Sequence, residues 1–161
     1  MVAITRVDSL CRRGYPLATM AGKTDHRMTP QDAHRILEEN FADWIRALDP
    51  EVLETETTHV LVRMPLGQHL IRVGGIVSGQ ALASLADTVM VLAAVAHAGE
   101  MRMFATTDLH TQFLRPGTGP AILCRAEVVR AGKSLAFTRA VMTEEDGGRI
   151  VATATATFYS A

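Results

Sequence analysis

The chain is short of cysteine, of net charge and of uninterrupted apolar sequence, and each shortage removes a class of protein. Its two cysteines, Cys11 and Cys124, stand far apart. One lies in an unpatterned N-terminal stretch and the other inside a strand-like run, so no disulfide framework is expected and a reducing cytoplasm is the natural setting. A formal net charge of -1 gives no electrostatic footprint for nucleic acid, and an anionic ligand has to meet a local cluster of cations. The longest apolar run, Ala81 to Ala98, is broken by Ser84, Asp87, Thr88 and His97. It therefore reads as a buried helix of a soluble domain and not as a membrane span. Nothing in the first 28 residues has the continuous apolar core of a secretory signal. A length of 161 residues accommodates one hydrophobic core, which leaves no room for a second catalytic domain.

Metal and nucleotide motifs are also missing. The six histidines, at 26, 34, 59, 69, 97 and 110, form no H-x-x-x-H or Cys/His ligand set, and neither a G-x-G-x-x-G nor a phosphate loop occurs. No cofactor is expected. Ser78 precedes a helix but lacks the G-x-S-x-G spacing of a nucleophile elbow. It reads as a helix cap.

What remains is well patterned from residue 29 onward, after an N-terminal extension over residues 1–28 without sustained periodicity. Thr29 and Pro30 suit the cap and first turn of a helix, and Ile36, Leu37, Phe41, Trp44, Ile45 and Leu48 share one face of it until Asp49-Pro50. The period then changes to two through Val52, Thr55, Thr57, Val60 and Val62, which predicts one or two strands up to Pro65. The Gly67 and Gly74-Gly75 region reads as loop. Ser78-Gly79 opens the long apolar helix, which ends near His97 to Gly99. Four strand-like segments follow, at about 103–114, 121–130, 134–143 and 149–159, separated by Pro116-Gly117, Gly132 and Gly147-Gly148. A helix apolar nearly all round, followed by consecutive antiparallel strands, is buried most economically when the sheet curls around it. That is an α+β hotdog architecture with an extra N-terminal helix. A small Greek-key barrel or a ferredoxin-like fold would also use many strands, but each expects its helices to keep a solvent face.

On the long helix Gln80, Ser84 and Asp87 recur at spacings of four and three and form one narrow polar stripe. A buried ionised carboxylate without partners costs several kcal/mol, so Asp87 has to be paired, wet or in use. The stripe alone is equally compatible with an aspartate that hydrogen-bonds across an interface or faces water. Free N–H groups at Gly79 and Gln80, with the positive end of the helix dipole behind them, can polarise a carbonyl. At 1.5 Å per residue Gly79 and Asp87 lie roughly 12 Å apart, too far for one chain to bring both to one reacting carbon. Two such helices packed antiparallel about a two-fold axis put the Gly79 end of one beside Asp87 of the other.

At these residues the sequence resembles the PaaI-type hotdog thioesterases, whose mark is a His-Gly-Gly turn entering the central helix with an acidic residue seven positions after the second glycine. Val77-Ser78-Gly79-Gln80 stands in the turn and Ala83-Ser84-Leu85-Ala86-Asp87-Thr88 matches the acidic segment. Further similarity lies in the segment from Thr106 to Pro116, in Val128 to Ser134 and in Val151 to Phe158. The resemblance spans about residues 50 to 160 and implies hydrolysis of acyl-CoA thioesters. Asp87 would activate water or attack the carbonyl, Gly79 and Gln80 would hold the carbonyl oxygen, and Thr106 matches a hydroxyl position that helps place water. Ser78 and Ser84 border the expected substrate path. Arg115, Arg130, Lys133 and Ser134 would meet the coenzyme, with the Gly132-Lys133-Ser134 turn near its route. A homodimer, assembled further as a dimer of dimers, is the expected partner state, with no nucleic acid and no membrane.

The sequence departs from that pattern twice. The turn reads Ser-Gly-Gln, and the position six before it, often Asn in the family, is Arg72. Arg72 would contact a thioester oxygen or a substrate carboxylate, or stand as a solvated loop charge. A hotdog dehydratase or hydratase needs a catalytic His, and Ser78 holds that turn position. A non-catalytic acyl-CoA binding or sensing module is the alternative that the altered turn encourages.

Overall fold

A computed structural model describes residues 27–160. Cys11 and nearly all of the N-terminal extension lie outside the described residues.

The first helix, α1 (Pro30–Asn40), starts where the sequence predicts. Thr29 and Asp32 form a reciprocal capping box, with Asp32 N donating to Thr29 Oγ1 at 3.1 Å and Thr29 N to Asp32 Oδ2 at 3.1 Å. Pro30 occupies the first turn, where no N–H is needed. The expected single helix to Leu48 is instead two. Asn40 turns its side-chain amide back onto the Ile36 carbonyl, Phe41 is extended, and a short α2 (Asp43–Arg46) restarts the helix. Asp49 leaves it in the left-handed region, with φ 53°, a conformation that a short polar side chain tolerates.

Strands β1 (Glu51–Thr55) and β2 (Val60–Pro65) form a hairpin. The stretch expected as loop is more ordered: a 3-10 turn (Gln68–Leu70) leads into a miniature hairpin of β3 (Ile71–Arg72) and β4 (Ile76–Val77). Gly74 and Gly75 take positive φ at its tip, which lets two residues on either side pair so closely. The central helix α3 (Gly79–Ala98) is capped by Ser78, whose hydroxyl accepts from Ala81 N at 3.3 Å, and is closed by left-handed Gly99. Strands β5 (Ala105–Phe113), β6 (Ala121–Ala131), β7 (Leu135–Glu144) and β8 (Ile150–Tyr159) agree with the four predicted segments to within two residues.

The six long strands make one antiparallel sheet in the order β1-β2-β6-β7-β8-β5, curled around α3. Its concave face is unusually small-chained: Ala126, Ala136, Ala140, Ala152, Ala154 and Ala156 are all buried. Alanines on both surfaces bring backbone close to backbone, and the larger Met64, Met90, Met142 and Phe158 fill the remaining volume. Twelve residues of α3 are buried, so the helix is the core of a hotdog fold, although it is apolar and long enough to cross a bilayer. It is not buried all round. Gln80, Ala83, Ser84, Asp87 and Val91 keep one continuous seam uncovered by the sheet.

That seam lies beside β5, which pairs only with β8 among the described residues. One whole edge of β5 is free, and all but one of its residues are exposed. Thr106, Leu109, Thr111 and Phe113 stand opposite Phe158, Ala156, Ala154 and Ala152, and therefore face the helix side.

Candidate active site

Asp87 sits midway along the uncovered seam. Thr106, at the start of β5, donates its hydroxyl to Asp87 Oδ1 at 2.9 Å. Burial pushes the Asp87 carboxyl above the usual aspartate range, and the Thr106 hydrogen bond opposes that in part by favouring the anion. A carboxylate raised in this way and still open on one side is suited to accept a proton from water.

The other end of the seam is built around Gly79. Its backbone opens α3, and the ring of Phe113, at the far end of β5, lies so close that a β-carbon on Gly79 would come within 3.2 Å of it. Glycine here leaves room for the tip of the ring against the helix entrance. A cleft of about 640 Å³ opens at this point. Arg72, Gly79, Gln80, Phe113, Leu114 and Arg115 are among the residues that line it.

The predicted residues thus fall into distinct groups. Asp87 and Thr106 are in contact. Gly79, Gln80, Arg72 and Arg115 share the cleft, while Ser78 is occupied in capping and Ser84 stands half-buried between the two groups. Lys133 and Ser134 border a separate cavity of about 240 Å³ at the far end of α3, together with His97, Arg102 and Ser160. Arg130 is opposite the exposed Phe137, on the convex side of the sheet, and lines neither cavity. The cationic set Arg115, Arg130 and Lys133 is therefore not gathered in one chain. Two features escaped the sequence. Arg102 lies between recognisable elements, and Ser160 follows the last strand with its buried hydroxyl unpartnered. Phe113, which the sequence offers with Met103 and Phe104 as a hint of apolar lining, does line the cleft, against Gly79.

The family model described as the thioesterase superfamily matches residues 74–151, the span that carries α3, Asp87 and Thr106. A putative esterase of Thermoplasma acidophilum is 30% identical over 117 residues, covering 72% of this chain and 86% of the relative. Among solved structures, a conserved protein of Pseudomonas aeruginosa superposes with a TM-score of 0.69 at 26% identity, covering 77% of this chain and 98% of that one. The PaaI protein of E. coli, from the phenylacetic acid degradation operon, gives a TM-score of 0.71 at 20% identity, over 81% and 91% of the two chains. The fold, the matched span and an archaeal relative aligned over most of both lengths agree: the chain belongs to the thioesterase superfamily, hydrolases of ester and thioester bonds built on the hotdog fold.

Proposed function

We propose that the chain hydrolyses acyl-CoA thioesters at a site shared by two copies, with Asp87 of one copy and the Gly79 N–H of the other converging on the thioester carbonyl. The observation that carries this reading is the partly buried carboxylate of Asp87, held by Thr106 on an uncovered helix seam. Within one chain its nearest carbonyl-polarising N–H is about 12 Å away along the same rigid helix.

Two elements call for the same two-fold axis. An antiparallel copy of α3 brings Gly79 beside Asp87 when the axis passes at Ala83, midway between them, where a small side chain allows close approach. An antiparallel copy of β5, joined through the free edge, brings Phe113 opposite Thr106 when the axis passes at His110, because the bulge between Thr106 and Asp108 takes up the extra residue. Since Phe113 packs on Gly79 and Thr106 bonds Asp87, the two pairings put the same groups together. Exposed Leu109, Phe113 and Leu114 would be covered, and an open strand edge would be removed. The free, buried Cys124 fits a reducing, cytoplasmic setting.

In the reaction, Asp87 takes a proton from water as its oxygen attacks the carbonyl carbon, or attacks directly and is freed by water in a second step. The Gly79 N–H, at the positive end of α3, holds the oxyanion, and the thiolate of the coenzyme leaves and is protonated. The absence of a histidine at Ser78 disfavours dehydration, which needs a second proton-transfer group there.

The test is thiol release from short, medium, long and aryl acyl-CoAs by wild type and Asp87→Asn, matched for fold and oligomer size. Turnover that falls at least about 100-fold in the variant is expected. Tight binding of acyl-CoA without turnover would assign the chain to the binding modules instead.

A further inference from the structure

We infer that the acyl group carried by the preferred thioester ends in a free carboxylate, which Arg72 binds with help from Arg115. This rests on the thioesterase reading and narrows its substrate class.

The cleft at the helix entrance is apolar except for Arg72, Arg115, Gln80 and the backbone of Gly79. Among the described residues no carboxylate lines it. Neither arginine has a side-chain hydrogen bond or an ion pair among the described residues, whereas Arg63, Arg139 and Arg149 are each held by a glutamate. Two unpaired guanidinium groups and the positive end of a twenty-residue helix thus face one cavity. An anion there gains from all three, and a guanidinium fork matches a carboxylate with two parallel hydrogen bonds.

The position of the cleft chooses between the anions that a CoA thioester can offer. Gly79 is both the proposed oxyanion donor and part of the cleft wall, so a group bound by Arg72 lies close to the reacting carbonyl. The pantetheine arm holds the coenzyme phosphates at its opposite end, far from the thioester. A carboxylate a few carbons along the acyl chain reaches Arg72 while the carbonyl stays on Gly79. Hydrolysis then breaks the C–S bond and forms a C–O bond from water. The two protons of water end on the thiolate and in solution, leaving free thiol and a dicarboxylate.

The experiment compares kcat/KM for glutaryl-CoA and valeryl-CoA, which match in carbon number, and for the corresponding pantetheine thioesters, which lack the phosphates. Wild type, Arg72→Gln, Arg115→Gln and Asp87→Asn are measured alike, with circular dichroism and oligomer size confirming the fold. Wild type is expected to favour the glutaryl substrate at least about tenfold in both series, the value of one charge-assisted contact. Arg72→Gln should lower the glutaryl-to-valeryl ratio by about the same factor, and Arg115→Gln should lower it by less.

Equal or better use of valeryl thioesters, still dependent on Asp87, overturns the inference and leaves the thioesterase reading intact. A glutaryl preference that survives Arg72→Gln overturns it too. So does an Arg72→Gln loss that is equal for both acyl groups and seen only in the CoA series, which would assign the arginine to the phosphates. An equal loss in both series, with the acid limb of the pH profile moved upward, would pair Arg72 with Asp87 of the second copy and likewise overturn it. No Asp87-dependent hydrolysis of any thioester removes both readings.

Discussion

The Thr106 hydroxyl donates to the Asp87 carboxylate over 2.9 Å, joining the outermost strand of the sheet to the middle of the helix that the sheet encloses. The bond favours the anion, while burial favours the neutral acid and prevails. Activity that needs the anion therefore rises with pH through a midpoint above the ordinary aspartate range. Thr106→Val removes the bond and moves that midpoint further up. On the acid side kcat/KM should fall about 2- to 10-fold, as for one lost hydrogen bond, with little change on the alkaline plateau. An unmoved acid limb in the variant would mean that a different group titrates.

The same raised value makes Asp87 a cost to stability at neutral pH. Between the ordinary aspartate range and its raised native value the folded chain holds a proton that the unfolded chain has lost, so stability declines as pH rises through that window. Asp87→Asn, which keeps an oxygen for Thr106, should melt higher than wild type at pH 7. The gain should vanish below the ordinary aspartate range, where Asp87 is protonated in the folded and the unfolded chain alike. Calorimetry at pH 7 and pH 3 separates the two conditions.

A shared site predicts complementation between two inactive chains. Gly79 is the first residue of α3 and Ser78 is extended before it, with φ -68° and ψ 143°, so Gly79→Pro removes the N–H where proline is otherwise well tolerated. The Phe113 ring would have to shift by a few tenths of an ångström. Gly79→Pro and Asp87→Asn should each be inactive alone. Refolded together at equal amounts, they should regain about a quarter of wild-type activity, because half of the pairs are mixed and each mixed pair holds one complete site. No recovery would place both groups of a working site in one chain.

Among the described residues Glu144 is the most deeply buried acid, at 2% exposure. It accepts from Arg149 Nε at 2.7 Å and from Thr118 Oγ1 and N at 2.8 and 3.0 Å, and these bonds hold its carboxyl below the usual glutamate range. Its stabilisation is present above the ordinary glutamate value and is lost as pH falls through the depressed native one. Glu144→Ala leaves Thr118 N without its acceptor and should lower Tm by about 4–8 °C at pH 7, with a smaller deficit in acid. Activity per folded molecule should be kept.

Much of this was legible in the sequence because it depends on local rules. The capping box at Thr29, the period-two runs and the polar stripe on an apolar helix each announce an element within a few residues. The break at Asn40 was not, since the hydrophobic face runs on through Leu48 and only the backbone-seeking amide interrupts it. The β3–β4 hairpin was missed because four paired residues are too few for a period. Asp87 and Thr106 stood out singly, but their contact depends on β5 pairing with β8 at the edge of the sheet, an order that no local pattern encodes. The scattering of Arg115, Arg130 and Lys133 has the same cause: residues near strand ends diverge or converge according to which strands are neighbours.

The eight helical steps from Gly79 to Asp87 form a ruler, because a helix buried on its other sides neither stretches nor shortens. In the proposed pair that length also separates the two reaction centres, about 12 Å apart across Ala83. Two acyl groups directed along the seam would then crowd each other. Short chains would fill both centres independently, while long or branched ones would leave the second centre harder to occupy once the first is filled, so chain length would set the cooperativity of the pair.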